Sequence, residues 1–129
     1  MASDDPKIRS IGQISVRAND LARAIAFYRD KLSLPFLFQA PPAMAFFRCG
    51  DTMLLVGTPE SARFDHPSSI LYFLVEDIEE SHRILAARGV VFDVRPHLVH
   101  EAPDFDLWLA FFGDSEGNTH ALMCRKAKA

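Results

Sequence analysis

Ile11-Gly12-Gln13-Ile14-Ser15-Val16, followed by Asn19-Asp20-Leu21 and a helical run to Leu32, has a counterpart further along the chain. That counterpart is Ile70-Leu71-Tyr72-Phe73-Leu74-Val75, then Glu76-Asp77-Ile78 and a helical run to Arg88. The triplet Ala45-Phe46-Phe47 likewise recurs as Ala110-Phe111-Phe112. Apolar, β-branched residues with partial alternation make each opening stretch a strand. Asn19 or Asp20 can cap the first helix, whose Leu21, Ala24, Ile25, Tyr28 and Leu32 form one apolar stripe. Ser33 and Pro35 stop it. Three strands follow: Phe36 to Phe38, Ala43 to Cys49 and Thr52 to Val56, with turns at Pro41-Pro42 and Gly50-Asp51.

The second copy repeats this order. A loop from Gly57 to Pro67, rich in Gly, Pro, Ser and charge, links the copies. Residues 69–75 read as a strand, and Asp77 with Glu80 has the pattern of a capping box. Gly89 supplies a left-handed helix stop. Val90 to Val94, Leu107 to Phe112 and Thr119 to Cys124 read as strands, with Asp114-Ser115-Glu116-Gly117-Asn118 as a turn. Arg95 to Phe105 has no counterpart in the first copy and reads as an inserted loop. Each copy is therefore β-α-β-β-β. The expected fold is a single α+β domain of two such modules, about 8–57 and about 68–125, pairing into a cup-shaped half-barrel sheet with the helices outside. The cup interior is the natural ligand pocket.

Bulk properties narrow the function classes. The chain has 129 residues and a net charge of −3, with no basic face of the kind nucleic acid requires. No apolar run approaches the roughly 20 residues needed to cross a bilayer. The acidic, polar start is unlike a signal peptide, so a cytoplasmic protein is expected. Cys49 and Cys124 lie in apolar runs without a Cys-x-x-Cys partner and read as reduced thiols.

The duplication, the stretch Asp20-Leu21-Ala22-Arg23-Ala24-Ile25-Ala26-Phe27-Tyr28 and the Asp114–Asn118 turn resemble the vicinal oxygen chelate superfamily. That group holds glyoxalase I, bleomycin-resistance proteins, fosfomycin-resistance enzymes, extradiol dioxygenases and methylmalonyl-CoA epimerase. The resemblance implies the fold, but many chemistries share it. It also implies four metal-ligand positions on the strands facing the cup. Here they carry Gln13, a residue near Val56 or Gly57, Ile70 and Ala121. A divalent metal needs several converging donors, and Gln13 alone cannot hold one. His120 neighbours the last position, but alternation turns it away from the cup if Ala121 points in. Superfamily members of the bleomycin-resistance type lack metal ligands, sequester their ligand and work as dimers, which implies a homodimer here.

Other residues can line such a cup. Gln13, Ser15 and Tyr72 would be its few polar points. Alternation sends one Phe of each pair inward, and Phe47 is assigned there. Trp108 either offers a flat wall to the ligand or packs beneath a helix. His97, near the rim, can exchange a proton near neutral pH and is the catalytic candidate. Two functions are therefore open. One is a metal-independent binder, or cofactorless enzyme, for a small hydrophobic or aromatic molecule, using Gln13, Ser15, Phe47, Tyr72, His97, Trp108 and Ala121. The other is a metal-dependent lyase, isomerase or dioxygenase whose ligands have moved to Gln13, His97, His100, Glu101 or His120. No nucleophile elbow or phosphate-cradling loop supports a third class.

Overall fold

The computed structural model describes residues 4–128. The first module contains β1 (Gln13–Arg17), α1 (Leu21–Ala26), β2 (Phe36–Ala40), β3 (Met44–Cys49) and β4 (Thr52–Gly57). The second contains β5 (Leu71–Leu74), α2 (Ile78–Ala87), β6 (Phe92–Glu101), β7 (Phe105–Gly113) and β8 (Thr119–Ala127). Each module makes its own four-stranded sheet, in the orders β1-β4-β3-β2 and β5-β8-β7-β6. The first pair in each order is parallel and the others antiparallel. The α+β class and the two βαβββ modules are thus as the sequence indicates.

Local chemistry sets the helix ends. Asp20 accepts from the Arg23 backbone N–H and Asp77 from that of Glu80, so each helix start has one of its orphan donors satisfied. Gly89, at φ +88°, ends α2 in the left-handed region. The first helix departs from expectation: beyond Ala26 it widens into a π-helical turn, Phe27–Lys31, closed by the Leu32 N–H on the Phe27 carbonyl at 3.1 Å.

The stretch from Arg95 to Phe105 is not a loop. It extends β6 and β7 into a long hairpin with three register shifts along it. Each shift breaks the two-residue alternation, and most of β6 is exposed, so the sequence carries no strand period there.

Alternation divides each sheet into two faces. On one face of the first sheet lie Val16, Ala45, Phe47, Leu54 and Val56, all buried. On the matching face of the second lie Ala110, Phe112, His120, Leu122 and Cys124, also buried. The Tyr28 ring sits between these faces, its centroid 5.9 Å from Phe47 and 6.1 Å from His120. Sheets joined edge to edge would separate β3 from β8 by at least three strand spacings, about 14 Å or more, too far for one ring to sit against both. The helix-bearing faces therefore meet within the chain, and the other face of each sheet points outward.

Candidate functional site

The outward faces correspond to the two halves of the expected cup. On the first sheet the register puts Gln13 and Ser15 beside Met53 and Leu55, with Phe46 next across. Phe46 stacks on Phe38 at 4.5 Å between centroids. On the second, Tyr72 lies beside Ala121 and Ala121 beside Phe111, with the Tyr72 and Phe111 rings edge-on at 6.1 Å. His97 pairs with Leu109 and His100 with Leu107 on this same face. Each half is an apolar, aromatic wall with a few polar groups. Tyr72 and Phe38 are each 48% exposed, far from the burial such rings reach in a filled core.

Phe47, expected in the cup, lies on the other face, and Trp108 takes the helix side, the second of its two expected places. Phe47 is fully buried against Tyr28 and Phe36, so the cup-facing member of its pair is Phe46. Trp108 shares its face with Cys124 and packs on the core, with the Lys126 ammonium 4.1 Å above its ring. Lys126 in turn pairs with Glu79 of α2, so the helix side is where this tryptophan belongs. Gln13, Ser15, Tyr72, Ala121 and His97 take their expected side. At His97, Nδ1 lies 3.0 Å from the Arg95 carbonyl, and the ring is exposed.

Gln13, Gly57, Ile70 and Ala121 stand at the metal positions that the family resemblance implies. Gly57 pairs with Arg17 on the cup side, whereas Val56 is in the core. One amide beside Gly57, Ile70 and Ala121, none of which offers a side-chain donor, does not fit a divalent ion. Among the described residues no group of three or more His, Cys, Asp or Glu side chains is arranged to hold a metal ion. His97 and His100 face the cup from the hairpin, but Glu101 pairs with Asp106 on the opposite face. His120 is fully buried on the helix side.

His120 belongs instead to a polar network that ties the modules together, which sequence reasoning missed. The Tyr28 hydroxyl donates to Asp114 Oδ2 at 2.5 Å and meets His120 Nε2 at 2.8 Å. With its one proton on the carboxylate, that hydroxyl accepts from Nε2–H. Nδ1 then accepts the Leu71 N–H at 3.4 Å, a long contact that agrees with the same tautomer. Next to it, the Glu116 carboxylate accepts from the backbones of Asn19 and Asp20 and from Arg23, at 2.8–3.1 Å. Asn118 donates to the Arg17 carbonyl at 2.8 Å. The Asp114–Asn118 turn thereby grips the β1–α1 junction of the other module. Burial alone would raise the Asp114 carboxyl, but His120, Tyr28 and Asn118 outweigh it and hold its pKa at about 2. Burial is outweighed at Glu116 as well, by Arg23 and then the Asp20 backbone, again to about 2. Burial, reinforced by Asp114, pushes the Tyr28 phenol well above its usual range. The network is built into the junction of the modules: its Tyr28 and His120 lie in the core, on the side away from the cup.

Known proteins match this geometry. The model of the Glyoxalase/Bleomycin resistance protein/Dioxygenase superfamily matches residues 10–122. The uncharacterized protein YraH of Bacillus subtilis is 26% identical over 119 residues, covering 82% of this chain and 91% of its own. Among solved structures, a lactoylglutathione lyase from Agrobacterium tumefaciens aligns with a TM-score of 0.68 at 24% identity, over 91% of this chain and 94% of its own. TnmS3, an antibiotic binding protein from Streptomyces sp. CB03234, aligns with a TM-score of 0.72 at 21% identity, over 96% of this chain and all of its own (100%). The duplicated βαβββ plan and the family match together make this chain a member of the glyoxalase/bleomycin resistance/dioxygenase superfamily.

Proposed function

We propose that this protein binds a small hydrophobic or aromatic molecule, without a metal, in a cup completed by a second copy of the chain. The observation that carries the reading is the pair of outward-facing apolar half-cups. Each is open on one side, and each carries aromatic side chains that a monomer leaves wet. One half from each of two chains would close a pocket, and a two-fold dimer would make two. Phe38, Phe46, Tyr72 and Phe111 would provide the walls, and Gln13 and Ser15 the polar points. The donor set at the metal positions supports a metal-free pocket. The fold likeness to an antibiotic binding protein is compatible with sequestration.

In this reading His97 is a rim group placed for proton transfer. Its Nδ1–H donates to the Arg95 carbonyl, which leaves Nε2 as an acceptor toward the cup. The free thiols Cys49 and Cys124 are compatible with a reducing, cytoplasmic setting.

The test combines sedimentation velocity with titration of an environment-sensitive aromatic probe, anilinonaphthalene sulfonate. Dimers of the 14.5 kDa chain are expected at micromolar concentration. Phe46→Ala and Phe111→Ala should each weaken the probe by about ten-fold or more, the worth of one buried aromatic wall. A monomer whose probe affinity ignores both substitutions would overturn the reading.

A further inference from the structure

A second cavity lies where the modules meet, away from both half-cups. Its volume is about 360 Å³, within the range of small-molecule sites. The exit of the first helix, around Leu34, forms one wall, and α2 and β5 form the others. Phe73, Leu74, Ile84, Leu85 and Leu122 make most of the lining apolar. No Asp or Glu lines it, and its single charged group is Arg88.

Arg88 is held in place from one side. Its Nη1 donates to the Lys31 carbonyl and to Ser33 Oγ, both at 2.8 Å. Among the described residues nothing in the protein accepts from its Nε and Nη2. That edge is the one by which Arg23 holds the Glu116 carboxylate elsewhere in the molecule, at 2.8 and 3.1 Å. A guanidinium with this fork open, fixed beside an acid-free apolar cavity, matches a carboxylate that carries a hydrophobic tail.

We propose that this seam is a second binding site, for a small amphipathic monocarboxylate whose head pairs with Arg88 and whose aliphatic or aryl tail fills the space between Leu34, Phe73, Ile84 and Leu122. The site does not depend on the cup reading, because α2, the exit of the first helix and the core-facing Phe73, Phe112 and Leu122 line it, and none of the proposed cup residues does. Its occupant would bridge the modules and add to the grip of the Asp114–Asn118 turn.

Cys49 lines the cavity and reports on it locally. The rate at which a chromogenic disulfide reagent modifies Cys49 is measured as decanoate is added, with Cys49→Ser protein giving the background from Cys124. Saturable protection is expected. Decanol, with the same tail and no carboxylate, should protect about ten-fold more weakly, and Arg88→Gln should remove that difference. Ile84→Trp should fill the cavity and abolish protection, while Phe46→Ala in the cup should leave it intact. No protection by decanoate in the wild-type protein would overturn the proposal, a result that needs no variant to fold. So would equal protection by decanoate and decanol, or protection that disappears in Phe46→Ala.

Discussion

Removing one oxygen tests whether the polar network between the modules holds them together. In Tyr28→Phe the ring stays between Phe47 and His120, and only the hydroxyl is lost. That hydroxyl makes a charge-assisted bond to Asp114 and accepts from His120. The first is worth about 1.5–3 kcal/mol, and leaving the buried His120 Nε2 without a partner costs about 1–3 kcal/mol. The two overlap, because Asp114 and His120 can shift toward each other from 3.7 Å, so the expected loss is about 3 kcal/mol. For a chain of this size that is a Tm lower by about 10 °C. Urea unfolding of wild type, Tyr28→Phe, Asp114→Asn and the double variant gives the loss and the coupling. Coupling between Tyr28 and Asp114 should be about 1–2 kcal/mol. A loss below about 1 kcal/mol with no coupling would refute the idea that this network joins the modules.

Other perturbations have equally definite outcomes. Asp114 and Glu116 have folded pKa values of about 2, below their ordinary 3.8 and 4.5, so the unfolded chain binds more protons between those limits. Their contribution is therefore complete above the ordinary carboxylate range and disappears as pH falls toward about 2, so Tm followed into acid should drop steeply in wild type and less steeply in Glu116→Gln. Phe47→Ala should cost about 3–5 kcal/mol in unfolding free energy, whereas Phe46→Ala should cost far less and act on ligand affinity instead. The reverse order would mean that the cup and core faces of β3 are exchanged. Gly57→Ala would put a methyl 2.8 Å from the Ala43 carbonyl, which accepts the Thr58 N–H, and should lower stability by about 1–3 kcal/mol in the same urea assay.

The legible and illegible parts of this chain differ in kind. Strand and helix starts were readable because Asp20 and Asp77 carry their own capping chemistry and the repeats confirm one another. The choice between Phe46 and Phe47 was not, since alternation assigns opposite faces without saying which is which. Only the β3–β4 register, pairing Phe47 with the buried Leu54, decides it. The β6–β7 hairpin was hidden by its bulges and by the exposure of its residues. The Tyr28–Asp114–His120 network joins positions 86 and 92 residues apart, and no local pattern encodes such a contact. Its trace in the sequence was the pair of motifs themselves, Phe27-Tyr28 and Asp114–Asn118. Both read as family marks until the fold showed one gripping the other.

Metal-free binding in the cup can be read from one titration. Anilinonaphthalene sulfonate is titrated into chelator-treated protein, then into protein soaked with nickel, zinc, manganese or ferrous iron, with bound metal counted by elemental analysis. The expected result is the same affinity in every sample and no stoichiometric metal after dialysis. Binding that appears only with a retained, stoichiometric metal would overturn the metal-free reading and return the site to relocated ligands such as His97 and His100.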